Sequence, residues 1–168
     1  MPGTLTELGK EQMFKAAELL SKEAVTFTRI VSSDLKRAMD SAQFIADKLK
    51  LPVIPMEILR ERDWGKFTGM TIAEATDKYR VNGKWRFPVG TAETEDGIYE
   101  RAGKALVELQ RLFANETIVV VTHGQFARNL IAAHFECRSA SRKGDACPSK
   151  NYHEVPAFAN AEIRVLNI

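Results

Sequence analysis

Residues 117–125 read TIVVVTHGQ: five residues with strand character run into a threonine, a histidine and a glycine. Four consecutive apolar β-branched residues bounded by polar ones suit a strand buried on both faces, as in a parallel sheet. The histidine then stands at the strand's end. The glycine after it allows the backbone to approach a ligand closely. Beyond it Phe126, Leu130 and Ala133 recur at helical spacing, so the stretch reads as strand, short turn, helix.

The same alternation extends in both directions. Upstream, Ile98, Ala102, Ala105, Leu106, Leu109 and Phe113 make one long amphipathic helix that starts at Thr94 and feeds the strand. Leu8, Met13, Ala16, Ala17 and Leu20 stripe a first helix that Thr4 or Thr6 can cap, Thr4 having Glu7 in the capping-box position. FTRIVSS at 27–33 contains a short strand. Ser33 is then expected to cap a helix whose buried face is Leu35, Ala38, Ala42, Ile45 and Leu49. LPVIPM, with a proline near each end, suits an edge strand. TIAE at 71–74 is a second capping box, and AEIRVL at 161–166 reads as a closing strand. Strands separated by crossover-length helices predict an α/β chain with a mainly parallel sheet and helices on both faces.

Composition agrees with one domain over 1–168. The chain is 45% hydrophobic, and a chain of this length buries roughly 70% of its unfolded surface. A net charge of +2 is too small to argue for nucleic acid or membrane as partner, and the basic loop RSASRK at 138–143 is too short to change that. No apolar run approaches a membrane span, and MPGTLTELGK lacks a signal-peptide core, so a cytoplasmic protein is expected. Cys137 and Cys147 form no C-x-x-C or zinc pattern. Lys143 and His153 stand where a C-x5-R phosphatase loop needs arginine.

In such sheets ligands gather where strand ends meet helix N-termini. SSDLKRA places Arg37 in the first turn of its helix, where free amides and the helix dipole favour an anion. THGQ places His123 and Gly124 at the other strand end. LRERDWGKFTG crowds Arg60, Glu61, Arg62 and Asp63 into one loop, where a carboxylate can be an acid, a base or an ion-pair partner. Alone, each has an ordinary structural explanation: a packed histidine, a solvated arginine, a surface charge network. G-x-S-x-G, Walker and G-x-G-x-x-G motifs do not occur.

Taken in order, LTELGKEQ, SSDLKRAMDSAQFIA, LRERDWGKFTGM, GTAETEDGIYERAGKAL and VVVTHGQFARNLI resemble successive motifs of the histidine phosphatase superfamily, the phosphoglycerate mutase-like fold, and its small phosphatase branch in particular. The resemblance implies a three-layer α/β sandwich with an antiparallel last strand. It implies a metal- and cofactor-free phosphatase acting on a phosphorylated small molecule through a phosphohistidine. Arg37, His123 and Gly124 would bind the phosphoryl group, with His123 stabilising the transition state, and Glu61 would transfer protons.

The family's first strand, which ends in Arg-His-Gly and carries the nucleophile, is missing from this sequence. Of the remaining histidines, His134 lies eleven residues beyond His123, about 16 Å along a straight helix, and His153 sits in a polar connection. The expectation is therefore an inactive chain in which a site for charge binding survives. The alternative is a non-catalytic pseudophosphatase that binds a phosphorylated ligand or a protein. In the resembling fold the missing strand lies between the strands like TIVVVTH and AEIRVL; without it these two are expected to close on each other, to admit another segment, or to take an edge from a second chain in a homodimer.

Overall fold

A computed structural model describes residues 5–81, 84–85, 88, 90–143 and 160–164. Helix α1 (Glu7–Leu20) leads to strand β1 (Arg29–Ser32), helix α2 (Lys36–Leu49) and strand β2 (Val53–Pro55). Two single 3-10 turns (Glu57–Leu59 and Gly65–Phe67), helix α3 (Ile72–Tyr79) and a two-stranded ribbon, β3 (Arg80–Val81) with β4 (Lys84–Trp85), follow. Helix α4 (Glu95–Leu112), strand β5 (Ile118–Val121) and helix α5 (Gly124–Lys143) complete the described elements.

The main sheet has the order β2-β1-β5, all parallel, with Ile30 opposite Val53 on one side and Val119 on the other. Side chains alternate across it, and the alternation sorts the core. Val31 points with Leu59 into α4 and α5, meeting Ile98, Ala102, Leu109, Phe126 and Leu130, with Ile118 and Val120 against the same cluster. Ile30 points the other way, to Ala17, Leu20, Ala42 and Ile45 of α1 and α2, joined by Val119 and Val121. Helices therefore cover both faces, as the sequence pattern predicts. Ile30, Leu59 and Ile98 are fully buried, each contributing about 1.5–3 kcal/mol of transfer free energy.

Local signals set the helix starts. Thr6 caps α1 by accepting from the Gly9 amide at 3.0 Å, and Thr94 caps α4 by accepting from the Gly97 amide at 3.0 Å. At α3 the capping box is reciprocal: the Thr71 amide donates to Glu74 Oε2 at 2.7 Å, and the Glu74 amide donates to Thr71 Oγ1 at 3.2 Å.

Three expectations change. Leu8 is 63% exposed, because α1 turns only the Ala16, Ala17 and Leu20 part of its stripe onto α2 and the sheet. Ser33 does not cap α2: the helix begins at Lys36 behind an extended Leu35, too far along for the hydroxyl to reach its first amides. Residues 161–164 form a turn and irregular chain with no strand pairing, so the expected last strand is absent over its described part; residues 165 and 166 lie outside the described residues. On the described residues β5 pairs with β1 alone. All four of its side chains are only partly buried, against three of four fully buried in β1. No described helix is long and apolar enough to cross a membrane.

Candidate functional site

The carboxyl ends of β1 and β5 lie side by side in the parallel register, which brings the SSDLKR turn against the THGQ turn. The Ser33 amide donates to the Val121 carbonyl at 2.9 Å, extending the pairing one residue past the strands. Arg37 Nε donates to His123 Nδ1 at 3.2 Å, and His123 Nε2 lies 2.9 Å from Ser33 Oγ.

A guanidinium can only donate, so Nδ1 is the unprotonated nitrogen and the ring proton sits on Nε2, donated to the serine hydroxyl. Burial first, and then the Arg37 and Arg101 cations, push His123 down from 6.5 to about 4, with Asp34 pulling weakly the other way. The ring is therefore neutral at physiological pH, consistent with its 8% exposure. Both ring nitrogens are held by the protein, and what the imidazole does here is aim Arg37. A phosphoryl oxygen would meet a ring N–H only by taking the place of Ser33.

Arg37 itself is half-buried, and beyond its Nε bond its guanidinium has no partner among the described residues. Its terminal nitrogens are free to fork onto an anion. The Gly124 amide, in the first turn of α5, is likewise unpaired among the described residues, and a side chain at Gly124 would meet nothing within 4 Å. No packing contact therefore requires the side chain to be missing at Gly124.

Glu61 is placed at the same helix end by a different route. Its Oε1 accepts from the amides of Arg62 at 2.9 Å and Phe126 at 3.0 Å, and its Oε2 accepts from the Gln125 amide at 3.2 Å. A carboxylate 64 residues upstream thus caps α5, a task the residue preceding the helix, His123, leaves undone. Thr122 supports the arrangement by donating its hydroxyl to the Leu59 carbonyl at 2.7 Å.

The rest of the RERD cluster divides into separate duties. Arg60 forks onto Asp34 at 2.7 and 2.6 Å, tying the 60s loop to the SSDLKR turn. This pairing holds the Asp34 carboxyl below its ordinary range and the Arg60 guanidinium above its own. Arg62 is buried; its Nε donates to the Glu93 carbonyl at 2.8 Å and its guanidinium lies 4.8 Å from the Trp64 ring. Asp63 accepts the Gly65 amide and turns the loop.

The sequence placed Arg37, His123 and Gly124 at strand ends, and the resemblance added Glu61; the structure brings Arg37 to His123 and Glu61 to the first turn of α5, which Gly124 opens. Sequence reasoning missed Ser33 as the partner of His123, and it assigned no duty to Glu93 or Arg101. Arg101 donates to both Glu93 oxygens at 2.9 and 2.7 Å and to the carbonyls of Ile58, Arg60 and Glu61, with Phe126 under its guanidinium at 4.5 Å. No local pattern announces those bonds. His134 is buried, 5% exposed, and stacks edge-on with Phe135; His153 and Cys147 lie outside the described residues. Among the described residues no group of three His, Cys, Asp or Glu side chains is placed to hold a metal ion.

Comparison with known proteins bears on this arrangement directly. Residues 3–145 match the family described as Histidine phosphatase superfamily (branch 1). The chain is 37% identical over 147 residues to phosphoglycerate mutase-like protein 4 of Arabidopsis thaliana, covering 83% of this chain and 62% of that protein. It is 31% identical to the metal-independent phosphoserine phosphatase of the same plant, covering 82% and 61%. The chain therefore spans somewhat under two thirds of the length of these relatives. Among solved structures, a mycobacterial glucosyl-3-phosphoglycerate phosphatase in complex with VO3 superposes with a TM-score of 0.68 at 29% identity, over 94% of this chain and 76% of that one. Bacillus stearothermophilus YhfR superposes with a TM-score of 0.74 at 23% identity, over 95% and 76%, a likeness of fold.

Proposed function

We propose, on the premise that this chain belongs to the histidine phosphatase superfamily, that the joined ends of β1 and β5 recognise the phosphoryl group of a phosphorylated small molecule. The observation that carries this reading is the Arg37 guanidinium, aimed by a neutral His123 and with its terminal nitrogens free, beside the open Gly124 amide. A cationic fork held by His123 and the helix N-terminus that begins at the next residue can together bind a tetrahedral dianion, by charge-assisted hydrogen bonds and the helix dipole. Relatives named for phosphoserine and glucosyl-3-phosphoglycerate support a phosphate monoester as the ligand class.

Glu61, on the neighbouring amides of the same helix, is the group we assign to proton transfer at the ester oxygen. The family reaction runs through a phosphohistidine. These 168 residues contain no Arg-His-Gly, and the buried His134 is packed within α5. The reading is accordingly that this chain binds phosphomonoesters without turning them over through a phosphohistidine. Robust hydrolysis of an aryl phosphate, abolished by His134→Ala or His153→Ala, would overturn that part.

The test of the binding site is titration of inorganic phosphate or vanadate into the chain and its Arg37→Ala variant. Removal of one charge-assisted fork is expected to weaken binding roughly 10- to 100-fold. Equal affinities would remove Arg37 from the site. We further assign a homodimer to the edge of β5 that faces away from β1, supported by the single pairing of β5 among the described residues and its incomplete burial.

A further inference from the structure

We infer that Arg101 is the positioning residue of this site: it holds the Glu61 carboxylate on the first turn of α5. The inference rests on the functional reading above for the importance of Glu61, and on the hydrogen bonds alone for the role of Arg101.

A guanidinium has five N–H donors, and Arg101 uses each of them. Two go to the Glu93 carboxylate, Nε to Oε1 at 2.9 Å and Nη2 to Oε2 at 2.7 Å. The other three go to main-chain carbonyls of the segment that carries Glu61: Nη1 to Ile58 at 2.9 Å and Arg60 at 2.7 Å, Nη2 to Glu61 at 3.3 Å. The guanidinium carbon lies over the Phe126 ring, 4.5 Å from its centroid, and Phe126 is one of the residues whose amide donates to Glu61.

A single side chain on α4 thus touches both partners of the Glu61 bond, the segment that supplies the carboxylate and the helix turn that receives it. Glu93, half-buried just ahead of α4, fixes the roll of the guanidinium, and its main chain is itself tied in by Glu93 N donating to the Asp63 carbonyl at 2.7 Å.

The geometry also explains why arginine stands here. Three carbonyls that converge on one point need donors spread in a plane, and a lysine ammonium has three donors on one atom, too few and too compact for five acceptors. With a neutral side chain of similar length the carbonyls of Ile58, Arg60 and Glu61 lose their partners, and the segment is free to withdraw the carboxylate from Gln125 and Phe126.

The readout is the pair of amide resonances of Gln125 and Phe126 in the full chain labelled with 15N. Glu61→Gln sets the reference for loss of the carboxylate. Arg101→Met is expected to move both resonances toward their positions in Glu61→Gln, and adding Glu61→Gln to Arg101→Met is expected to move them no further. Arg101→Lys, which keeps the charge, is expected to fall between wild type and Arg101→Met. It also serves should Arg101→Met fail to fold.

A folded Arg101→Met or Arg101→Lys whose Gln125 and Phe126 resonances stay at their wild-type positions would overturn the inference while leaving the phosphate site intact. Wild-type chain that binds neither phosphate nor vanadate would instead retire the functional reading, and the amide result would still stand or fall by itself.

Discussion

The neutral, buried His123 makes a prediction that can be worked through in numbers. Its native imidazole is held down to about 4 from 6.5, chiefly by burial and then by Arg37 and Arg101. In the unfolded chain that restraint is gone. Between these two values the unfolded state carries a proton that the folded state does not, so stability contributed by this group is fully present above about pH 6.5. It declines as the pH falls toward 4 and is flat below that. At about 1.4 kcal/mol per pH unit, the decline amounts to about 2 kcal/mol by pH 5 and about 3 kcal/mol in full.

The perturbation is His123→Gln, which removes the titrating ring. Urea unfolding of both chains between pH 7.5 and 4.5, with the variant's stability subtracted from wild type at each pH, cancels the other titrating groups. The difference should fall with acid along the curve just described. A difference independent of pH, or an imidazole that titrates near 6.5 by carbon-detected resonance in the folded chain, would refute the assignment of His123 as a neutral ring that aims Arg37.

Two other outcomes follow from local geometry. Gly65 has φ +51°, and a side chain there would stand 1.8 Å from the Thr91 carbonyl oxygen, so Gly65→Ala should cost more than about 3 kcal/mol, whereas Gly103→Ala, inside α4 with nothing within 4 Å, should gain about 0.5–1 kcal/mol; thermal unfolding of the pair checks both. The β5 edge should give a concentration-dependent dimer in sedimentation velocity at micromolar protein, and a monomer throughout would remove the proposed interface.

What was legible in the sequence was local. Thr94 and the Thr71–Glu74 box specify helix starts within three residues, and the run of β-branched residues at 118–121 specifies a strand that is apolar on both faces. That Arg37, Glu61, His123 and Gly124 belong to one site was legible only through the resemblance carried by their motifs in order. The individual bonds were not. Ser33 looks like a cap because serine before a helix often is one, yet its hydroxyl serves an imidazole 90 residues away. Glu61 looks like one more surface charge, yet it completes a helix from a distant loop. Arg101 flanks the apolar stripe of α4, a position that by itself names none of its five hydrogen-bond acceptors. Residues 161–164 have the alternation of a strand, and alternation cannot supply the neighbour that a ladder requires.

The parallel pairing of β1 with β5 also sets the order in which the molecule can assemble. α2 connects β1 to β2 across a short stretch of chain, so that unit can close early, with little loop entropy to overcome. Joining β5 to β1 brings together Thr28 and Thr117, which are 89 residues apart, a contact of the kind that slows folding. Every bond of the Ser33, Arg37 and His123 set, and the hold of Glu61 on α5, spans that late junction. Refolding monitored at the histidine ring should therefore trail refolding monitored at α2, and a chain arrested midway would already have its Arg37 helix while possessing no anion site at all.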